Sequence, residues 1–379
     1  MGPLAGTSVV ELAGIGPAPF CAMLLADMGA DVIRVERPAA GGKGANFRLG
    51  IDPVNRGRQT IAVDLKTPEG QQVVKRLASR ADVLIEGFRP GVMERLGLGP
   101  DECLALNPRL VYSRMTGWGQ TGPLAHSAGH DINYISLTGA LHSIGPRGSE
   151  PAIPLNLLGD YAGGSLYLGF GIVCALLESR SSGKGQVVDA AIVDGTSSLM
   201  TLMYALRGQG LWDDARGTNL LDGGRPWYSV YETGDRLHVS VGAIEDQFYA
   251  RLTDLMGFRP GELPDRKNPD SWPEIRRRFA EKFRSRTREE WCATLEGHDA
   301  CFAPVLSMED APLHPHMKAR GGFVNIEGIT VPAPAPRFSR SSPRDVQAQP
   351  GGGATLAGML MKWGFSAEEA GALEKHHSG

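Results

Sequence analysis

The chain has 379 residues, enough for two or three domains, and its 42% hydrophobic and 21% charged residues are typical of a globular protein. Lysine and arginine total 39 against 42 for aspartate and glutamate, a net charge of −3 that argues against a general nucleic-acid binder. The five scattered cysteines lack a CxxC pair, and no secretory signal or membrane span is evident, so we expect a cytoplasmic protein with reduced thiols.

The first half of the chain alternates strand and helix patterns, which predicts a parallel sheet covered on both faces. Predicted strands lie at residues 8–14, 31–36, 60–65, 82–88 and 110–117, and predicted helices lie between them at 20–30, 68–80 and 90–97. The Gly-rich segment 117–133 has the composition of a loop that lines a site. A helix from about 160 to 180, buried along its apolar run 166–177, then leads to a strand at 186–194 and a helix over 199–206.

From about residue 220 the spacing indicates a second, smaller unit. A hairpin is predicted around Thr233–Asp235, with helices at 245–257 and 288–297. The Pro-rich segment 332–338 is typical of a connecting arm, and an apolar helix at 355–364 follows it.

Three motifs match nucleotide or metal sites only in part. In GIGPAP, Pro19 replaces the third glycine of a dinucleotide-binding fingerprint, which disfavours a nicotinamide site. In SSGKGQ, Gly185 stands where a phosphate-binding loop needs Ser or Thr, so a polar turn is the better interpretation. His314 and His316 have no third ligand near them in sequence and are better explained as exposed loop histidines.

Two neighbouring segments each place an ionisable side chain beside a glycine, which lets a ligand approach the backbone. His130 follows Gly129 in SAGHDINYISLTG, and Asp160 follows Gly159 in NLLGDYAGG. We expect Asp160 to cap the helix that follows, where backbone N–H groups hold the carboxyl ionised and also serve a nearby oxyanion. Taken alone, each residue is better explained by a structural role, as a capping aspartate or a satisfied loop histidine.

Long strings of the chain resemble the class III CoA-transferase superfamily and, within it, the alpha-methylacyl-CoA racemase branch. The likeness runs from about Leu4 to Ser339 and includes VVELAGIGPAPFCAMLLADMGADVIRVERP, DVLIEGFRPGVMERLGLGP, MTGWGQTGP, AGHDINYISLTG, PLNLLGDYAGG, SSGKGQVVDAAIVDG, LDGG and VGAIEDQFY. The resemblance implies a racemase that interconverts (R)- and (S)-2-methylacyl-CoA thioesters in lipid metabolism. It implies a reaction that needs no cofactor or metal, and a protein that binds neither nucleic acid nor membrane.

The resemblance also implies the catalytic residues. His130 and Asp160 would flank the α-carbon from opposite sides, and Glu245 would hydrogen-bond the histidine and orient it. The CoA part of the substrate would contact Arg37, Val63, Asp64, Leu65, Lys66, Gly87, Phe88, Arg89, Arg95, Gly129, Asp131, Ile132, Asn133 and Tyr134. For each basic residue in that set, a solvated surface charge is the alternative.

The implied fold is α/β, with a large Rossmann-like parallel-sheet domain over 1–205, completed by a returning arm at 325–379, and a smaller α+β domain over 220–320. The resemblance implies an interlocked homodimer in which Glu245 acts across subunits. The absence of targeting signals fits a bacterial cytoplasm.

Two departures from the racemase pattern and two alternative functions remain open. Asp246 replaces a proline beside Glu245, and Arg225 replaces a small residue in LDGGRPWY, where it could change which acyl tails fit. One alternative is a CoA-transferase that uses Asp160 as a nucleophile, and the other is a non-catalytic CoA-binding protein on the same fold.

Overall fold

The computed structural model describes residues 1–38, 52–346 and 355–375 of the chain. These residues form two compact units, the first from 1–138, 155–200 and the described residues after 320, and the second from 139–154 and 201–320. The chain enters the second unit at residue 139 and goes back to the first unit at residue 155, which the sequence pattern does not reveal. Parts of the expected returning arm, 347–354 and 376–379, lie outside the described residues.

Eleven strands form three sheets in the described part of the chain. The strands are β1 (Ser8–Leu12), β2 (Asp31–Glu36), β3 (Arg58–Ala62), β4 (Val83–Glu86), β5 (Val111–Thr116), β6 (Gln186–Ala191), β7 (Tyr228–Glu232), β8 (His238–Gly242), β9 (Phe302–Val305), β10 (Phe323–Ile326) and β11 (Ile329–Pro332). In the first unit β10 and β11 pair as a small antiparallel ribbon.

Fifteen α-helices and one π-helix lie between and after these strands in the described part of the chain. In chain order they are α1 (Pro17–Asp27), α2 (Pro68–Ala78), α3 (Val92–Arg95), α4 (Pro100–Leu106), α5 (Asp131–Leu137), α6 (Ala140–Ser143), a π-helix (Leu157–Leu166), α7 (Tyr167–Ser182), α8 (Ile192–Leu199), α9 (Thr201–Gly208), α10 (Asp246–Leu255), α11 (Trp272–Arg284), α12 (Arg288–Leu295), α13 (Pro315–Ala319), α14 (Leu356–Lys362) and α15 (Ala367–Lys375). Short 3₁₀ turns occupy Pro53–Asn55, Pro269–Ser271 and Ala311–Leu313.

The main sheet of the first unit is entirely parallel, with strand order β3-β2-β1-β4-β5-β6. This is the order of the doubly wound dinucleotide-binding fold, so the predicted Rossmann-like parallel sheet is confirmed. The order reverses between β1 and β4. The carboxyl ends of these two strands therefore flank the crevice in which such sheets bind ligands.

Alternate strand residues serve two separate cores, as the period of two of a β-strand requires. Val9, Val32 and Val83 point to the face covered by α1 and α7. Their neighbours Val10, Ile33 and Leu84, by contrast, pack with α2 and with the C-terminal helices α14 and α15. Both faces of the sheet are therefore covered, as the near-continuous apolar composition of its central strands predicts.

Several predicted boundaries are wrong by a few residues. The strand predicted to 65 ends at Ala62, because the Asp64 carboxylate accepts the N–H of Lys66 at 2.9 Å and turns the chain. The strand predicted to 194 ends at Ala191, and buried Ile192 starts α8. The SSGKGQ segment is a turn, as predicted, with Gly183 at φ +77° ending α7.

The apolar helix at the centre of the chain differs from its prediction as a buried helix. It begins three residues earlier than predicted and runs as one helical stretch, Leu157–Ser182, which is long and apolar enough by length and composition to cross a membrane. Its inner side packs on the sheet through residues that include Leu168 and Ile172. Its other side leaves an apolar face exposed, formed by Leu166, Phe170, Val173 and Leu177.

The second unit is built on an antiparallel sheet of β7, β8 and β9. The predicted hairpin joins β7 to β8, where the N–H of Thr233 donates to the carbonyl of Leu237 at 2.9 Å. Its core is aromatic: Phe279, Phe283 and Trp291 are fully buried, and the Tyr231 ring stacks on Phe283 at 5.2 Å. This core provides the smaller unit with its own hydrophobic stabilisation.

Candidate active site

Glycines shape the crevice at the switch point of the parallel sheet. Gly16, in the loop after β1, has φ +73°, and a Cβ placed there would lie 3.3 Å from a carboxylate oxygen of Asp160. A Cβ on Gly87, just after β4, would lie 3.5 Å from the Cβ of Ala18. The loop after β4 therefore approaches the first turn of α1, and the loop after β1 places bare backbone against Asp160.

Asp160 does not cap its helix, contrary to the expectation from the sequence. Asn156 holds the cap position, and Asp160 lies one turn further on, inside the π-helix. Its carboxylate accepts a hydrogen bond from the Asn156 side-chain amide at 3.3 Å. Burial raises the pKa of Asp160, Asn156 lowers it, the charge of Asp131 raises it and that of His130 lowers it. The net shift is upward, so the site does not simply hold this carboxyl ionised.

His130 precedes α5 on a separate segment of the first unit. Its backbone N–H donates to the side-chain oxygen of Asn133 at 3.1 Å, which fixes the turn into the helix. Tyr134 reinforces that turn, since its hydroxyl donates to the carbonyl of Gly129 and its ring packs edge-on against Trp118 at 4.7 Å. Asp131, which follows His130, accepts the backbone N–H of Asp160 at 2.7 Å, so the segments that carry the two predicted residues are adjacent.

Asp131, one of the residues expected to contact CoA, has a buried carboxylate that bonds the backbone of the π-helix. It is only 7% exposed, and its carboxylate accepts the backbone N–H of Asp160 at 2.7 Å. The N–H of Gly159 also acts on it, and both N–H groups oppose the rise in its pKa that burial causes. These two N–H groups are the oxyanion donors expected from the sequence. They face Asp131, so an enolate oxygen must find its donors elsewhere in the site.

The basic residues expected to grip the nucleotide lie at or after the carboxyl ends of neighbouring parallel strands. Arg37 follows β2, Lys66 lies in the turn after β3, and Arg89 follows β4. All three are exposed, as is Arg95 at the end of α3. The charge of Arg89 lowers the pKa of the Tyr134 phenol, whereas burial, the larger cause, raises it. A phosphate-bearing ligand would therefore meet cations at the edge of the sheet that carries the crevice.

Other members of the expected CoA set contribute in different ways. The side chain of Val63 is buried in the core, so only its backbone is open to a ligand. The Asp64 carboxylate closes the turn through Lys66. Ile132 and Asn133, in contrast, are exposed on the first turn of α5.

A buried ion-pair cluster beneath the β4 loop is absent from the sequence prediction. The fully buried Glu86 accepts the Phe88 N–H at 2.7 Å and the Arg114 guanidinium at 2.8 Å. A second nitrogen of Arg114 donates to Glu94 on α3 at 2.7 Å. The signal in the sequence is a glutamate inside the apolar strand VLIE, since carboxylates are rarely fully buried without a partner. This cluster holds the loop that carries Gly87 and Arg89.

Glu245 belongs to the second unit, where it occupies the cap position of α10 without bonding the helix through its side chain. Its exposed carboxylate raises the pKa of Cys301, although burial is the larger cause. Cys301 lines an open cleft of about 1190 Å³ within this unit. Glu245 itself is not among the residues that line this cleft.

The two departures from the racemase pattern are both paired within the second unit. Asp246 bonds Arg266 at 2.5 Å, which lowers the pKa of Asp246 and compensates its charge. The Arg225 guanidinium lies 3.8 Å over the ring of Trp272 and donates to the carbonyl of Thr218 at 2.8 Å. Trp272 lines the cleft, so Arg225 acts on its shape through this ring.

Metal ligation has little basis in the part of the chain that the structure describes. No group of three or more His, Cys, Asp or Glu side chains in residues 1–38, 52–346 and 355–375 is arranged to hold an ion. The expectation of exposed loop histidines is only partly correct. His316 is exposed but lies in α13, and the half-buried His314 caps that helix and bonds Glu296 at 2.7 Å.

Known proteins share this sequence and architecture over most of the chain. Residues 4–355 match the family described as CoA-transferase family III. The chain is 45% identical over 368 residues to the human and mouse proteins named alpha-methylacyl-CoA racemase, with 97% of this chain and 94% of each of those aligned. These two relatives are mammalian, so the expected bacterial source gains no support. The solved structure of a CaiB/BaiF family protein from Brucella suis aligns with a TM-score of 0.77 and 27% identity, covering 95% of this chain and 98% of that one. The chain therefore belongs to CoA-transferase family III.

Proposed function

We propose that the protein interconverts (R)- and (S)-2-methylacyl-CoA thioesters by moving one proton through an enolate. Its 45% identity to proteins named alpha-methylacyl-CoA racemase supports this reaction class. The observation that carries the proposal is the 2.7 Å hydrogen bond from the backbone N–H of Asp160 to the carboxylate of Asp131, which joins the segment of Asp160 to the segment of His130 beside the crevice of the sheet. Two such groups on separate segments can remove a proton from one face of a carbon and return one to the other.

The pair must hold one proton between them in either direction. For one enantiomer, neutral His130 removes the α-proton and protonated Asp160 supplies its replacement. For the other enantiomer, ionised Asp160 is the base and charged His130 the acid. Burial favours this sharing, because it raises the pKa of Asp160 and so increases its protonated fraction.

We propose that Arg37, Lys66, Arg89 and Arg95 bind the phosphates of CoA. Their exposure at or after the ends of parallel strands supports the proposal. The backbone of Gly87 and the exposed residues of α5 would then border the thioester end of the substrate. In this scheme CoA is part of the substrate, and racemisation requires no cofactor.

The first test is α-proton exchange of each 2-methylacyl-CoA enantiomer in D2O, followed by NMR and chiral analysis. We expect deuterium uptake and loss of optical purity from both enantiomers, because the returning proton comes from solvent-exchanged side chains. Full activity should survive prolonged dialysis against EDTA. Optically stable substrate that gains no deuterium would refute the racemase.

The main alternative is a CoA-transferase in which Asp160 attacks the thioester. Membership of CoA-transferase family III keeps this alternative open. It would form an aspartyl adduct that hydroxylamine traps, and CoA would pass to an added carboxylate. A non-catalytic CoA-binding protein would bind CoA and change no thioester.

We further propose that the protein works as a homodimer in which Glu245 of the partner subunit orients His130. The exposed apolar face of the helical stretch Leu157–Ser182, formed by Leu166, Phe170, Val173 and Leu177, supports association. These positions recur at helical spacing, and such continuous apolar patches commonly mark protein interfaces. A second copy of the chain would cover this face.

Light scattering after gel filtration tests the dimer. We expect wild type to be dimeric and the double variant Phe170→Glu, Leu177→Glu to be monomeric, because two carboxylates would be buried unpaired at the interface. Activity should fall at least tenfold in the monomer. Leu106→Glu makes the same change at an exposed residue of α4 and should stay dimeric. A fully active wild-type monomer would contradict the proposal.

We also propose a cytoplasmic location. All five cysteines are free in the structure, including the buried Cys21 and Cys103, which suits a reducing compartment. Fractionation of source cells with an antibody to the protein tests this location.

A further inference from the structure

Asp131 connects the segments of the first unit that carry the two proposed catalytic residues. It follows His130 in sequence, and its carboxylate accepts the backbone N–H of Asp160 at 2.7 Å. A Cβ on Gly159 would lie only 2.3 Å from the same carboxylate oxygen. The carboxylate thus fills the space that any side chain at 159 would need, and the contact depends on glycine there.

We infer that Asp131 is a positioning residue for racemisation, because its carboxylate ties the segment that carries His130 to the segment that carries Asp160. This inference rests on the proposed function. Misplacing a catalytic group by about 1 Å can slow a reaction by about a hundredfold, and the bonds of the buried Asp131 carboxylate to the N–H groups of Gly159 and Asp160 hold the two segments at a fixed separation. Asp131 therefore acts through its neighbours and does not touch substrate.

The charge of Asp131 has a second effect on the same pair. The groups that act on the Asp160 carboxylate are the Asn156 amide, the Asp131 carboxylate and His130, and the phenol of Tyr134 lies close to it. Of these, only Asp131 brings a negative charge, and it adds to the effect of burial in raising the pKa of Asp160. Asp131 thus helps to keep a proton available on Asp160 at neutral pH.

The test is Asp131→Asn, which keeps the shape and removes the charge. We expect kcat to fall by about ten- to a hundredfold with KM changed by less than about threefold, because loss of the charge weakens the bonds to the N–H groups of Gly159 and Asp160 and loosens the geometry at the reacting centre. The acid limb of the kcat/KM profile should move to lower pH, since loss of a negative neighbour favours ionised Asp160. A purely structural role would not move this limb.

The matched control is Asp82→Asn. The Asp82 carboxylate accepts the Ser8 N–H at 2.8 Å at the amino-terminal ends of β1 and β4, away from the crevice. This change should leave the acid limb in place. If Asp131→Asn does not fold, Gly159→Ala decides, because its methyl group must displace the Asp131 carboxylate while keeping the charge. Gly159→Ala should lower kcat to a similar extent.

Different results would overturn the proposed racemase activity and the positioning role of Asp131. Wild-type protein that exchanges no α-proton in D2O overturns the proposed function itself. If wild type racemises, an unchanged kcat and pH profile in Asp131→Asn overturns the positioning role alone. A raised KM with unchanged kcat would instead assign Asp131 to substrate contact, as the resemblance implies.

Discussion

Asp160→Asn should lose racemisation by at least about a hundredfold while one substrate enantiomer still exchanges its α-proton with solvent. The remaining base, His130, can still remove the proton from its own face and return a deuteron to that face. His130 is exposed, so its proton exchanges with D2O between turnovers. The other enantiomer requires Asp160 as the base and should stay unlabelled. NMR of each enantiomer in D2O measures both rates.

His130→Gln should give the mirror-image result. Asp160 then remains, and only the enantiomer that wild type deprotonates with Asp160 should take up deuterium. Asp189→Asn, a change at a β6 carboxylate outside the proposed site, should behave like wild type. Exchange of both enantiomers by either single variant would contradict a two-base mechanism. Loss of all exchange in Asp160→Asn together with a wild-type acyl adduct would instead favour nucleophilic Asp160.

The sequence predicts the elements whose residue pattern is contained within one strand or helix. The parallel sheet follows from strands such as DVIRVE, whose observed bounds Asp31–Glu36 equal the predicted ones. Boundaries failed where tertiary packing overrides propensity. Ile192 and Val193 are β-branched and suggest strand, yet they begin α8 because Ile192 is buried in the core between sheet and helices.

The candidate site shows the same division. Asp160 is expected from the sequence to cap a helix because it precedes a long helical pattern, but the helix starts earlier, as a π-helix that no spacing rule indicates. The proposed positioning role of Asp131 depends on a bond to a residue 29 positions away, which one sequence without covariation cannot reveal. Residue identity and the family resemblance therefore suggest the candidate site, whereas its hydrogen bonds and pKa shifts required the structure.

Arg114→Met should strongly destabilise the first unit. Glu86 is fully buried and depends on Arg114 for charge compensation. Breaking one side of a buried ion pair commonly lowers the free energy of unfolding by about 3–5 kcal/mol. Urea unfolding followed by circular dichroism measures this loss, and CoA binding should weaken with it, since Glu86 also holds the Phe88 N–H.

The loss should depend on pH in a definite direction. Burial raises the pKa of Glu86, and Arg114 is one of the groups that lower it, so the variant has a still higher folded-state pKa. Such a group favours the folded state below its unfolded pKa of about 4.3 and penalises it as pH rises through the folded value. The deficit relative to wild type should therefore be large at pH 8 and smaller at pH 5. Arg277→Met, at an exposed arginine that pairs with Glu274, should leave stability unchanged at both pH values. A deficit that is equal at pH 5 and pH 8 would mean that lost packing, and not the uncompensated carboxylate of Glu86, destabilises the variant.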